Sequence, residues 1–412
     1  VVVSQIWYRV GSGDEPAGLT GISHLLEHMM FKGTPRHPAG EFSRIIAEQG
    51  GRENAFTGRD YTAYFQRLER SRLEVAFELE ADRMRNLLLP PEEFEKERRV
   101  VLEERRLRTE DRPRALTYER LYAVAFLNGP YGHPVIGWSE DLARLTVADL
   151  RRWYRRFYAP DNATLVVVGD VDPEAVRRLA ERHFGPVPRA GTRRPPPRGE
   201  PRQRGPRRVV VRAPAEVPYV ILGWKVPSLA TAADRREAYA LEVLAAVLSG
   251  GESARLPREL VRRRRIAAAA GAGYDLYARA GDLFLMDGTP AEGHTVAELE
   301  RALRAEVERL KREPVTAAEL ARIKAQVVAA KVYERDSMFY QAMQIGMLET
   351  VGLGWRTAER YVEAVRAVTP AEVQAVARKY LTDERLTVAV LEPTGRPARR
   401  PAPAPAHGGP LR

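Results

Sequence analysis

The chain has 412 residues, a net charge of +11 and no cysteine, which excludes disulfide frameworks and leaves histidine and carboxylate side chains as metal ligands. A chain of this length usually divides into two domains of about 200 residues, and no segment comes near the roughly 18 apolar residues that a membrane span requires. The charge comes from two Pro-rich stretches, 189–208 with a net +7 and 394–412 with +4, so solvated segments explain it better than a nucleic-acid surface.

The first half reads as strands combined with long helices. The opening "VSQIWYRVGS" predicts a strand, which leads through a loop into an apolar helix. Two strands around a turn at 58–60 follow, and a capped helix, a turn and an apolar strand close the half. The other predicted helices here are 38–49, 71–86 and 92–110, and the predicted strands include 63–68 and 164–168.

The second half repeats this pattern after the Pro-rich stretch. The segment that starts at Thr146 aligns without gaps with the segment that starts at Thr369, and each predicts a threonine-capped helix, a turn and a strand. Both halves also open with a strand, a loop and a long apolar helix, which spans 236–251 in the second half and has no histidine there. The remaining predictions are helices 296–312, 316–351 and 355–368, and strands 219–225, 283–287 and 387–391.

These elements predict an α+β fold with two homologous repeats. Each repeat would be a mostly antiparallel sheet with helices packed on it. We expect a first domain at 1–188, a linker at 189–208, a second domain at 209–393 and a Pro/Ala-rich tail at 394–412. The linker is expected to act as a semi-rigid strap that lets the two repeats open and close.

The first apolar helix carries three ionisable residues within "GISHLLEHMMFKGT". His24 and His28 are four apart and share one face, and Glu27 lies beside them. Burying these groups is costly unless a metal or a partner satisfies them, so the pattern favours a metal site over two satisfied core histidines. A catalytic zinc site needs a third ligand.

The segment "PEEFEKERRVVLEERR" and the residues after it offer carboxylates for this third position. Glu97 and Glu104 are seven residues apart and share one helix face, beside a stripe of valines and leucine that indicates burial. Spacing by itself leaves four candidates open, which are Glu97, Glu103, Glu104 and Glu110.

Three motifs together resemble the inverzincin peptidases of family M16, the group of pitrilysin, insulysin and the mitochondrial processing peptidase. The motifs are "HLLEH" at 24–28, "NAFTGRDYTAYF" at 54–65 and "ERRVVLEE" at 97–104. The resemblance covers nearly the whole chain, and the compact length is similar to the bacterial M16B branch. It implies that this chain forms half of a clamshell chamber.

The resemblance also implies the site and the reaction. The chain would be a zinc-dependent endopeptidase acting on short or unfolded peptides, with Glu27 as general base and Glu97 orienting a ligand. An edge strand would bind the substrate through main-chain hydrogen bonds, although this stretch alone reads as an ordinary hairpin. The implied zinc ligands are His24, His28 and Glu104, and the edge-strand residues are Asn54, Ala55, Phe56 and Thr57.

The second half departs from the family pattern. Members that act alone carry an Arg and a Tyr that bind substrate and stabilise the oxyanion, whereas "SARLPRELVRRRRIAAAA" places Val261 and Ala268 at those positions. We therefore expect a homologous partner subunit to supply the pair. A homodimer that uses Arg262 or Tyr274 is the alternative. A non-catalytic structural subunit is the rival class, and the intact His24, Glu27, His28 and Glu104 set weighs against it.

The compartment is the least determined property. The chain begins "VVVSQIWYRV", without Met and in what reads as the middle of a strand, so we expect residues before Val1. A signal peptide could be among them. The bacterial periplasm and the cytoplasm both stay open, and this start favours the periplasm.

Overall fold

The computed structural model describes residues 1–395, so most of the predicted tail at 394–412 lies outside the described residues. The strands are β1 Val2–Tyr8, β2 Arg52–Thr57, β3 Thr62–Leu68, β4 Ala163–Gly169, β5 Arg207–Ala213, β6 Tyr219–Val226, β7 Ala267–Gly273, β8 Asp282–Pro290 and β9 Leu386–Pro393. The α-helices are α1 Ile22–Met29, α2 Glu41–Glu48, α3 Leu73–Asn86, α4 Pro91–Arg105, α5 Pro113–Ala125, α6 Ser139–Arg144, α7 Val147–Phe157, α8 Pro173–Phe184, α9 Arg235–Ser249, α10 Val296–Arg312, α11 Ala317–Glu334, α12 Met338–Thr350, α13 Thr357–Ala367 and α14 Pro370–Tyr380. Two short segments, Arg106–Glu110 and Pro257–Arg263, wind as π-helix.

Two sheets with helices packed on them confirm the predicted α+β fold. The first sheet has the order β2-β3-β1-β4 and is antiparallel throughout. The second has the order β5-β9-β6-β8-β7, and only the β5–β9 pair is parallel. The aligned segments match in detail, because Thr146 and Thr369 each form a capping box with the acidic residue three positions later.

The structure differs from the predicted elements in several places, and helices α5, α6 and α8 were not predicted. The helix predicted at 316–351 is broken between α11 and α12, where the hydroxyl of Ser337 accepts a hydrogen bond from the N–H of Tyr340 and starts a new helix. Strand β7 was not predicted, since its Ala and Gly residues have low strand propensity and only pairing with β8 holds them extended. Strand β5 was also not predicted, and it begins at Arg207, inside the range expected to be linker.

Each repeat contributes a helix to the sheet of the other. From the first half, α5 packs on β5, β6 and β9, and from the second half, α12 packs on β1 and β4. Apolar side chains fill both contacts: Leu121, Tyr122 and Ala125 with Ile221, Ala389 and Leu391, and Val3, Trp7, Ala63 and Val166 with Ala342. Separating the repeats would expose both clusters to water. These contacts oppose an opening between the two repeats, and the hinge role of the linker stays a prediction.

The predicted linker is anchored to both repeats instead of being solvated along its length. The guanidinium of Arg194 donates to the carboxylate of Asp14, with Nη2 2.7 Å from Oδ2, and to the carbonyl oxygen of Asp60 at 2.6 Å. From the second repeat, Arg279 donates to the same Asp14 carboxylate at 2.8 Å. One buried carboxylate thus ties together the first repeat, the linker and the second repeat.

A second anchor lies further along the linker. The carboxylate of Glu200 accepts hydrogen bonds from the N–H groups of Leu127, Asn128 and Gly129, at 2.9–3.0 Å. The ammonium of Lys225 lies 2.6 Å from the other carboxylate oxygen. These contacts hold the pKa of Glu200 below its usual value, although partial burial opposes them. Hydrogen bonds and ion pairs at Arg194 and Glu200 therefore hold the linker against both repeats.

The close approach of α12 to the first sheet depends on a glycine. A Cβ at Gly346 would lie 2.1 Å from Nε1 of Trp7, a side chain that is fully buried. Alanine usually stabilises a helix interior relative to glycine by about 0.5–1 kcal/mol, but here the methyl group has no space. We expect Gly346→Ala to lower the free energy of unfolding by about 1–3 kcal/mol, measured by urea denaturation.

Gly205→Ala is the matched control, because a Cβ at Gly205 meets no atom within 4 Å. It should leave the urea midpoint within error of the parent chain. If Gly346→Ala were as stable as the parent chain, the described packing of α12 on Trp7 would be incorrect.

Candidate metal centre

Helix α1 starts at a fixed point because a buried carboxylate caps it. Glu15 is 1% exposed, and its two carboxylate oxygens accept hydrogen bonds from the N–H groups of Gly21 and Ser23, at 2.8 and 2.9 Å. Burial raises the pKa of Glu15 to about 8, although these two hydrogen bonds oppose the shift. Gly21 has φ +86°, a left-handed conformation that glycine adopts without strain. No motif or spacing in the sequence identified Glu15 as part of this site.

The two histidines of α1 turn toward a single residue of α4. Their ring centroids are 4.8 Å apart. The Nε2 atoms of His24 and His28 lie 3.8 and 3.4 Å from the same oxygen of Glu104, its Oε2. Packing of α4 against α1 thus places Glu104 opposite the histidines.

The other carboxylates that spacing left open do not reach this point. Glu103 points outward and pairs with Arg106. Glu110 pairs with the buried guanidinium of Arg105, with Nε 3.3 Å from Oε1. Glu97 lies on the far side of His28, with its Oε2 3.0 Å from Nδ1 of that ring.

The three converging atoms fit a zinc ion. The ligand atoms of His24, His28 and Glu104 all lie within 4.8 Å of one another, and no other group of three metal-ligating side chains is this close within residues 1–395. Two ligand atoms of a tetrahedral zinc ion, with bonds of about 2.0–2.1 Å, lie roughly 3.4 Å apart. Small movements of these side chains would therefore bring the three atoms to the distances that zinc requires. Two imidazole nitrogens and one carboxylate oxygen form a donor set that catalytic zinc uses.

The charges at the site suit a divalent cation. Burial lowers the pKa of His24 to about 4, so this ring is neutral near pH 7. Burial also lowers the pKa of His28, but hydrogen bonds to the carboxylates of Glu104 and Glu97 outweigh it and raise the pKa to about 9. A proton on His28 therefore balances the buried carboxylates when no metal is bound, and a cation can replace that proton.

The third ionisable residue of α1, Glu27, stays outside the ligand group. Burial raises the pKa of Glu27 to about 7, and the hydroxyl of Thr57 donates a hydrogen bond to its Oε2. This contact links α1 to β2. The family resemblance implies a main-chain role for Thr57 in substrate binding, and no spacing in the sequence predicts its side-chain contact with Glu27.

Two cationic side chains that the sequence analysis did not single out contact the carboxylates of the site. The ammonium of Lys32 lies 2.6 Å from Oε1 of Glu97. The guanidinium of Arg108, in the π-helical turn after α4, lies 2.6 Å from Oε1 of Glu104, so Oε2 is the oxygen that faces the histidines. The spacing of Lys32, four residues after His28 and eight after His24, is the signal that could have identified it.

The predicted substrate strand is an edge strand in the structure. Strand β2 is the terminal strand of the first sheet and pairs with β3 from Arg52 to Thr57. The side-chain oxygen of Asn54 accepts the N–H of Ala55 at 2.9 Å, and the ring of Phe56 packs edge-on against Trp7. The role of these residues in substrate binding stays a prediction.

Arg262 and Tyr274, the residues that a homodimer would use, make hydrogen bonds within the second repeat. Arg262 contacts Glu252, and the hydroxyl of Tyr274 donates to the carbonyl oxygen of Pro227 at 2.6 Å. Val261 packs against the core of the second repeat, and Ala268 lies on β7. Across the part of the chain that the structure describes, neither Arg262 nor Tyr274 makes a hydrogen bond or ion pair with His24, His28 or Glu104.

Fold and site together define a class of two-repeat α+β proteins with a His-x-x-Glu-His helix. Two family models match this chain: "Insulinase (Peptidase family M16)" over residues 1–138 and "Peptidase M16 inactive domain" over residues 144–327. The chain belongs to peptidase family M16.

Individual relatives agree with this assignment. The zinc protease PqqE of Helicobacter pylori is 36% identical over 79% of this chain and 72% of its own length. An uncharacterized zinc protease of Mycobacterium bovis is 33% identical over 95% of this chain and 88% of its own length. The crystal structure of a protease from Helicobacter pylori superposes with a TM-score of 0.90 at 32% identity, and covers 95% of this chain and 94% of that one.

No helix within residues 1–395 combines the length and the apolar composition needed to cross a bilayer.

Proposed function

We propose that this chain is a zinc-dependent endopeptidase and the zinc-bearing subunit of an M16B-type assembly. The observation that carries the proposal is the convergence of Glu104 with His24 and His28, which lie at least 76 positions earlier in the sequence; the three ligand atoms meet within 4.8 Å. The zinc protease names of its relatives point in the same direction. Zinc would be held by the Nε2 atoms of the two histidines and by Oε2 of Glu104.

The residues around the zinc would divide the chemistry among them. When bound, zinc acts as a Lewis acid that acidifies water and polarises a carbonyl group. The carboxylate of Glu27 accepts a proton from the attacking water and returns it to the leaving amine nitrogen. A pKa of about 7 suits this exchange, since the group can both take and release a proton near neutral pH. Thr57 holds the carboxylate in place.

The substrate would be an extended peptide that pairs with β2 as an additional strand. Main-chain pairing tolerates many side chains and requires a flexible, unfolded backbone. Because Thr57 is the last residue of β2 and contacts Glu27, a peptide on this edge would run past the metal centre.

We also propose that a second, homologous chain completes the site. Val261 and Ala268 stand where the family pattern has its Arg and Tyr, and the nearby Arg262 and Tyr274 are held by contacts within the chain. The two repeats of this chain share apolar contacts, so access to the centre would come from movement between chains.

Metal content and hydrolysis test the proposal together. The purified chain should contain one zinc ion, measured by elemental analysis. With its partner chain it should cleave an unstructured fluorogenic peptide, and a chelator should stop cleavage until zinc is restored. Zinc without cleavage, alone and with the partner, would instead support the structural-subunit alternative, while absence of zinc binding would exclude the metal centre.

A further inference from the structure

The ammonium of Lys32 lies just beyond α1, on the side of His28 that faces away from Glu104. Its Nζ is 2.6 Å from Oε1 of Glu97 and 3.6 Å from Oε2 of Glu93. The side chains of Lys32 and Glu97 are 25% and 12% exposed, so this pair is more shielded from water than a typical surface ion pair.

The carboxylate of Glu97 is held from both sides. Its Oε2 faces Nδ1 of His28 at 3.0 Å, and its Oε1 faces Nζ of Lys32. A continuous row of contacts therefore runs from Lys32 through Glu97 and His28 to the point where the ligand atoms converge. His24 has no comparable support, because its buried Nδ1 has no hydrogen-bond partner in the described part of the chain.

We propose that Lys32 is a positioning residue of the metal centre, which sets the affinity for zinc by fixing the carboxylate of Glu97 against His28. This inference rests on the proposed zinc site. A carboxylate that orients a metal-binding histidine must keep one oxygen on the imidazole N–H. With Oε1 bound to Lys32, rotation of the Glu97 side chain would break two charge-assisted hydrogen bonds, so the geometry of His28 is fixed before metal arrives.

Lys96 provides a matched control. It lies on α4 and binds Glu93 at 2.7 Å, as Lys32 also does at longer distance, but no contact joins it to Glu97. Removing either ammonium takes one positive charge from the same cluster. Only the removal of Lys32 releases the carboxylate that holds His28.

The test measures the Kd for zinc by competition with a chromophoric chelator. Loss of a group that orients a metal ligand typically weakens binding about 10–100-fold, and we expect Lys32→Met to weaken it about tenfold because it acts one contact further out. Lys32→Arg should restore affinity to within about threefold, and Lys96→Met should match the parent chain. Circular dichroism of the metal-free variants checks that each is folded.

A coupling measurement separates positioning from general electrostatics. In a Glu97→Ala background, Lys32→Met should have no further effect on the Kd, since the carboxylate it positions is gone. Equal losses for Lys32→Met and Lys96→Met, or additive losses in the Glu97→Ala background, would overturn the inference while leaving the zinc site intact. Failure of the parent chain to bind zinc would instead overturn the proposed function.

Discussion

Glu27→Gln is expected to slow peptide hydrolysis strongly while leaving zinc in place. Glutamine has the same shape and can still accept the hydrogen bond from Thr57, but it cannot take a proton from water. General acid–base catalysis contributes roughly 10²–10⁴ in rate, so kcat should fall by about that factor. The Kd for zinc should stay within a few-fold of the parent value, since Glu27 lies outside the converging group.

Glu103→Gln is the control for this variant. It makes the same chemical change on the neighbouring helix, where Glu103 pairs with Arg106 and faces away from the centre. Its rate and zinc content should equal those of the parent chain. Cleavage by Glu27→Gln at the parental rate would refute the assignment of the base, and loss of zinc from this variant would make Glu27 a ligand.

Activity is expected to rise about a hundredfold or more when this chain is mixed with a homologous partner. The partner must carry Arg and Tyr at the positions that match Val261 and Ala268. An oxyanion donor contributes roughly 3–4 kcal/mol of transition-state stabilisation, and this chain lacks the donor pair of the family pattern. Titration of the partner against a fixed amount of this chain, followed with a fluorogenic peptide, should saturate at equal amounts.

A partner variant with that Arg changed to Ala is the control, and it should bind this chain without activating it. The homodimer alternative makes a different prediction. In that case this chain alone would be fully active. Its cleavage rate would rise with the square of the chain concentration in dilute solution, and Arg262→Ala or Tyr274→Phe would remove most of the activity. Full activity of the chain alone, with no gain from the partner, would refute the partner requirement.

The candidate site divides into a part that local sequence predicts and a part that it does not. His24, Glu27 and His28 share a face because α-helical geometry repeats every 3.6 residues, so their convergence follows from α1 alone. The choice of the third ligand among the carboxylates of α4 does not follow from local geometry. A rotation of that helix by a quarter turn would present Glu103 instead of Glu104, and the resemblance to a family supplied the assignment before the geometry did.

Long-range packing also decided the contacts that no spacing rule predicts. Thr57 reaches Glu27 because β2 lies beside α1, and Lys32 reaches Glu97 because α4 crosses that helix. Such contacts join residues 30 or more positions apart. Residue types alone cannot indicate these contacts, since most lysine and threonine side chains in proteins are exposed to solvent.

The sequence by itself determined the repeat, most helices and all strands except β5 and β7, because hydrophobic periodicity and capping residues are local properties of the chain. The tertiary structure decided how the halves join. The exchange of α5 and α12 between the sheets and the anchoring of the linker on Asp14 both depend on side chains far apart in sequence. These contacts form only when the chain is compact, and their stability comes from apolar burial and paired charges that a linear pattern does not encode.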